Sequence, residues 1–115
     1  MQKTDLIKEI SLNTLKEKKG TDIKVLDITE LSLIADYFII ATASSNTLLQ
    51  ALVRYLEDNL EKTAGIRPNR IEGFSEAKWI LMDYNSVIIH LFLPEQRDYY
   101  KLERLWGDAK LLDTE

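Results

Sequence analysis

Ser44 or Ser45, His90 and Asp36 are the side chains of this chain that could assemble a nucleophilic site. In such a site the imidazole takes the hydroxyl proton and the carboxylate orients the imidazole. No G-x-S-x-G elbow or other nucleophile motif surrounds either serine. A second chemistry, nucleotidyl transfer, needs small residues at a helix start to cradle phosphates. It also needs close carboxylates to hold divalent metals. Ala43-Ser44-Ser45-Asn46 has the first character, but the one D-x-D/E arrangement, Asp113-x-Glu115, lies in the terminal tail. Asp27 and Asp36 could serve instead only if the fold brought them together. His90 is the single histidine and cysteine is absent, so zinc would lack its usual ligands. A structural histidine is expected, with no catalytic residue, metal or cofactor.

The charge balance points away from nucleic acid. Nineteen acidic residues face fifteen basic ones, for a net charge of −4. Such a chain has no long-range attraction for phosphate backbones, so direct sequence-specific nucleic-acid binding is not expected. A basic protein surface is the more natural partner. No stretch reaches the ~18–20 apolar residues of a membrane span. The opening Met1-Gln2-Lys3-Thr4-Asp5-Leu6 is not followed by the apolar run of a signal peptide. A soluble, cytoplasmic protein of one domain is expected from these features and the length of 115 residues.

The elements that must position these residues follow from periodicity. Residues 4–19 read as an amphipathic helix, capped by Thr4 or Asp5 and stopped by Gly20. Residues 23–28 read as a strand, residues 30–35 as a turn of helix, and residues 36–43 as a central strand apolar on both faces. Ser44 or Ser45 caps the strongest helix, which runs to about residue 63. Its Leu49, Leu52, Val53, Leu56 and Leu60 fall on one side, and Gly65 with Ile66 ends it. Residues 70–74 read as a short edge strand. Residues 78–82 and 87–93 read as a hairpin turned at Asn85, with Trp79 facing Ile89, Ile80 facing Ile88 and Leu81 facing Val87. Residues 95–106 read as one helix with Tyr99, Leu102 and Trp106 on a shared face, and a short strand is expected through Leu111 and Leu112. The order implies an α/β (α+β) domain: a mixed β-sheet packed with helices.

Three segments together resemble the ribosomal silencing factor, or Iojap-related, family. The first is Asp27-Ile28 through Leu31-Ser32 to Ala35-Asp36-Tyr37-Phe38-Ile39-Ile40-Ala41-Thr42. The second is Glu72-Gly73 with Trp79-Ile80-Leu81-Met82-Asp83-Tyr84 and His90-Leu91-Phe92. The third is Glu95, Arg97, Tyr99-Tyr100, Leu102-Glu103-Arg104-Leu105-Trp106 and Asp108-Ala109. The family often carries glycine at the positions of Ala77 and Asn85; Asn85 reaches φ > 0 readily and Ala77 does so poorly. The resemblance implies a nucleotidyltransferase-like fold without transferase activity. It also implies binding to the large ribosomal subunit at protein L-fourteen, steric blockade of subunit joining, and frequent homodimers.

On that resemblance the candidate partner-binding residues are Trp79, Leu81, Asp83, Glu76, Asp36 and Tyr37. Trp79 would be an aromatic anchor, as tryptophan is enriched among interface hot spots. Asp83 and Glu76 would meet basic side chains of the partner. The alternative roles are a core pair for Trp79 and Leu81, turn capping for Asp83 and Glu76, and a local cap for Asp36. Tyr99, Tyr100, Leu102 and Trp106 form an aromatic stripe whose first expectation is core.

Overall fold

A computed structural model describes residues 2–112. Within them the order is α1 (Lys3–Glu17), β1 (Thr21–Asp27), β2 (Tyr37–Thr42), α2 (Asn46–Ala64), β3 (Arg70–Glu72), β4 (Trp79–Asp83), β5 (Val87–Phe92), α3 (Pro94–Tyr100), α4 (Leu102–Leu105) and β6 (Lys110–Leu112). The strands form one sheet in the order β3-β4-β5-β2-β1-β6. β2 and β5 run parallel and every other pair is antiparallel. The mixed sheet is therefore the expected one. Its parallel pair requires a crossover, which α2, β3 and β4 supply.

Each face of the sheet has its own core. On one side Val25, Ile39, Ala41, Ile80, Met82, Val87, Ile89 and Leu91 meet α1 and α2. The buried residues of α2 are Leu49, Leu52, Val53, Leu56 and Leu60, the set its spacing predicts. Ser45 caps that helix by accepting from the Leu48 N–H at 3.1 Å. At its other end Gly65 is left-handed, and Ile66 donates to the Leu60 carbonyl at 3.1 Å. On the second side Leu26, Ile28, Phe38, Ile40 and Phe92 form a smaller core closed by Leu102, Trp79 and Trp106. β2 contributes to both cores, so its continuous apolar run is explained.

Several expectations are corrected. The N-cap of α1 is Gln2, not Thr4 or Asp5; the Thr4 hydroxyl donates instead to Ser86 Oγ at 2.8 Å. The left-handed residue after α1 is Lys19, at φ 71°, while Gly20 donates to the Leu15 carbonyl at 2.8 Å. Residues 30–35 form a turn rather than a helix. Leu31 and Ser32 both donate to the Ile28 carbonyl, but Ser32 Oγ then takes the Ile34 and Ala35 N–H groups. A side-chain acceptor has replaced the next helical carbonyl.

The hairpin register is also different. Trp79 pairs with Phe92, Ile80 with Leu91, Leu81 with His90 and Asp83 with Ile88. Tyr84 stays in the ladder, donating to the Val87 carbonyl at 3.0 Å. Only Asn85, at φ 68°, and Ser86 remain as the loop, so the strands run further toward the turn than expected. The last helix is broken at Lys101, whose φ is 47°. The break turns Leu102 into the second core and leaves Tyr99 in solvent, so Tyr99 and Leu102 do not share a helical face. The short strand through Leu111 and Leu112 is present and pairs with β1.

Candidate protein-docking face

The side chains of β4 alternate across the sheet. Ile80 and Met82 enter the core beneath α1 and α2. Trp79, Leu81 and Asp83 lie on the other side, half-buried. α3 and α4 cover only part of that side, so Leu81 keeps an open flank. Together with Glu72, Gly73 and Trp79 it lines a shallow depression of about 310 Å³.

Trp79 is held from three directions. Its ring stacks on Phe92 at 4.9 Å between centroids and tilts against Tyr100 at 4.8 Å. Its indole Nε1–H donates to His90 Nδ1 at 3.1 Å. Because Nδ1 accepts, neutral His90 carries its proton on Nε2, which is buried without a hydrogen-bond partner. His90 is 4% exposed, and burial pulls its pKa down to about 4. It is structural, as expected, but only one of its nitrogens is satisfied.

That burial makes a pH prediction. Between about 6.5 and about 4 the unfolded chain takes a proton on histidine that the folded protein refuses. The His90 contribution is therefore complete above pH 6.5 and is lost progressively as pH falls to 4. Its loss amounts to about 3 kcal/mol. Urea titrations of wild type and His90→Phe should show a stability gap that changes by this amount across the window. A gap independent of pH would refute the assignment.

The other expected site residues separate. Asp83 accepts from Arg70 Nε at 3.2 Å and from the Asn85 N–H at 2.8 Å, so it caps the turn while remaining beside Leu81. Glu76 is exposed in the loop before β4. Asp36 immediately precedes β2, at the same end of the sheet as Asp83; its N–H donates to the Ser86 carbonyl at 2.7 Å. Tyr37 pairs with Val87 and packs on the opposite side, against the core under α1. The Lys8 ammonium sits 4.7 Å from the centre of its ring, and burial, more than nearby Asp27, raises its pKa. Trp79, Leu81 and Asp83 are thus brought together, whereas Tyr37 is not on their face.

The catalytic alternatives find other employment. Asp36 and Ser44 flank opposite ends of β2, roughly 25 Å apart at the strand rise. Ser45 is a helix cap, and Asn46 Nδ2 donates to the Ala77 carbonyl at 3.0 Å. Asp27 and Asp36 do approach, since Asp27 pairs with Tyr37. The Asp27 carboxylate is taken by the Thr29 hydroxyl and N–H, which lower its pKa. Among the described residues no group of three or more His, Cys, Asp or Glu could hold a metal ion. Asp113-x-Glu115 lies outside the described residues. No helix described is long and apolar enough to cross a membrane.

Two contributors, Gly73 and Arg97, enter the sequence reading only as part of the family resemblance, with no role assigned to either. Gly73 forms a wall of the depression at φ 81°; a glycine just past a strand is the signal for it. Arg97 is 7% exposed and ties α3 to the strands. Its guanidinium donates to the Asp22 carbonyl and, at 2.8 Å, to Thr42 Oγ1. A charged residue on a short polar helix gives no sequence signal of burial.

The family described as "Ribosomal silencing factor during starvation" (RsfS) matches residues 2–115. A ribosomal silencing factor RsfS of Bacillus subtilis is 40% identical over 109 residues, covering 95% of this chain and 92% of that protein. The chloroplastic protein Iojap of Zea mays is 36% identical over 81% of this chain, which spans 40% of the plant protein. A crystal structure of a Chromobacterium violaceum protein superposes with a TM-score of 0.87 at 35% identity, covering 92% of this chain and 88% of that one. One from Bacillus halodurans gives 0.83 at 29% identity, covering 95% and 98%. By family match, sequence identity over nearly its whole length and shared fold, this chain belongs to the ribosomal silencing factor family.

Proposed function

We propose that this protein silences translation sterically, by docking the open side of β4 on protein L-fourteen of the large ribosomal subunit and so keeping the small subunit away. The observation that carries this reading is the depression beside Trp79 and Leu81. It offers apolar surface at a half-covered sheet face, with the carboxylate of Asp83 at one end and Glu76 in the preceding loop. Apolar contact supplies affinity and the acids orient a basic partner. No bond is made or broken in such an action, and the protein works as a cytoplasmic binding factor, not an enzyme. Where copies of the chain pair through the same open face, dimer and ribosome complex compete for it.

Leu81 provides the cleaner test than Trp79, because Trp79 is part of the second core. Leu81→Ala should leave the melting temperature within a few degrees of wild type. It should weaken retention on purified large subunits about tenfold or more, with a matching loss of inhibition when small subunits are added. Unimpaired subunit joining in saturating wild-type protein would rule the mechanism out. Full retention of Leu81→Ala would move the contact elsewhere.

A further inference from the structure

The loop of residues 29–36 presents the most exposed apolar side chains of the described structure. Leu33 is fully exposed and Ile34 is 84% exposed, with Leu31 beside them at 45%. The loop is built to hold them out. Leu31 and Ser32 donate to the Ile28 carbonyl at 2.9 Å. Ser32 Oγ accepts from Ile34 and Ala35 at 3.1 and 3.3 Å. Ala35 is buried as an anchor, and Asp36 and Tyr37 both donate to the Ser86 carbonyl. A preformed loop loses little conformational entropy when a partner covers it.

Its surroundings are acidic. Asp27, Glu30 and Asp36 flank the apolar residues, and the sequence has no Lys or Arg between Lys24 and Arg54. Asp108 shares a depression with Asp27, Glu30 and Leu31; Lys110 also lines it, and Lys8 lies near Asp27, so the acids still outnumber the cations. Carboxylates around an apolar knob repel phosphate and complement a basic protein.

The loop is also continuous with the face of β4. Phe38 and Asp83 both pair with Ile88, from opposite sides, which puts them about 10 Å apart. Leu81 lies about 7 Å along β4 from Asp83, and Asp36 about 7 Å beyond Phe38. A standard interface covers about 800 Å² per partner, wide enough to include both. We propose that the 29–36 loop is a second docking element, an apolar knob of Leu33 and Ile34 in an acidic collar, that seats on a basic protein surface of the large subunit adjoining the one met by β4.

This rests on the ribosome-docking reading above, and the experiment separates the two. Retention on purified large subunits is measured for wild type, the double variant Leu33→Ser/Ile34→Ser, and Glu30→Lys. Light scattering follows self-association in parallel. Both substitutions are on exposed positions, so melting temperatures should match wild type. The double variant should bind about tenfold more weakly, and Glu30→Lys should bind more weakly as well. Wild-type retention with an unaffected double variant overturns the loop proposal alone. A double variant that loses only self-association, or a Glu30→Lys that binds more tightly, also overturns it, assigning the loop to a second copy or to ribosomal RNA. No retention of wild type overturns the docking reading and the loop with it.

Discussion

Gly73→Ala should destabilise the protein by about 4 kcal/mol, the largest effect expected of any single methyl added to this chain. The backbone at Gly73 has φ 81°, and a Cβ there would stand 2.2 Å from the carbonyl oxygen of Trp79. That oxygen is main chain on β4, so no side chain can rotate away. Relief requires the 73–77 turn, closed by Ala77 donating to the Gly73 carbonyl at 3.0 Å, to separate from β4. Left-handed strain alone costs a non-glycine residue about 1–2 kcal/mol. Gly65 isolates that share: its φ is 67°, and a Cβ added there would meet nothing within 4 Å. Urea unfolding of the two alanine variants should therefore show Gly65→Ala costing about 1 kcal/mol and Gly73→Ala several times more. Equal losses would mean that the contact with Trp79 does not matter. The depression beside Leu81 should be lost with it, so Gly73→Ala should bind large subunits poorly even at temperatures where it remains folded.

Arg97→Leu should also be costly, at about 2–3 kcal/mol. The Arg97 guanidinium is buried with an unusual load of partners. It donates to the Asp22 carbonyl and Thr42 Oγ1, approaches the Asp22 carboxylate at 3.7 Å, and pairs with Glu103 at 3.3 Å. Leucine fills the space but leaves the Asp22 carbonyl and Thr42 Oγ1 without their donor, and Glu103, 36% exposed, without its cation. Adding Glu103→Leu should then recover a small part of the loss, because it removes an acid whose Oε1 is buried without a partner. Denaturant midpoints for the two singles and the double measure the coupling. An Arg97→Leu variant within about 1 kcal/mol of wild type would show that the pair is ornamental. The consequence reaches the docking face, since α3 carries Tyr100 against Trp79. Loosening α3 should broaden the indole environment, visible as a red shift in tryptophan emission.

The sequence was most legible where one physical demand governed. The α2 spacing left a single apolar side, Gly65 supplied the left-handed end, and β2 was apolar on both faces because two cores flank it. Legibility failed where competing demands met. Residues 79–82, Trp-Ile-Leu-Met, are apolar throughout, so alternation could not say which side of β4 stays open. Tyr84 sits next to Asn85 and resembles a turn residue, yet it is buried at the end of the ladder, and this moved the hairpin register. Lys101 has no turn signature; it is left-handed because Arg97 and Leu102 must both point inward. Ala77 is the instructive middle case. Alanine in place of the family's frequent glycine points to a slightly altered backbone before Trp79, yet Ala77 adopts φ 53° with its methyl buried. Of the candidate site, the grouping of Trp79, Leu81 and Asp83 could be read from alternation alone. The removal of Tyr37 to the far face followed only from its partner, Val87.

The parallel pairing at the middle of the sheet has a consequence for assembly in time. Tyr37 meets Val87 and Thr42 meets Phe92, so the central seam joins segments that emerge from synthesis far apart. Closing so large a loop carries an entropic cost that local helices and hairpins do not, and non-local pairings slow folding. α2 and the β4–β5 hairpin can form while the seam is still open. α1 packs chiefly on α2 and gains its Thr4–Ser86 hydrogen bond only once Ser86 is in place. Both cores thus stay unsealed until β5 joins β2, since each takes side chains from β5.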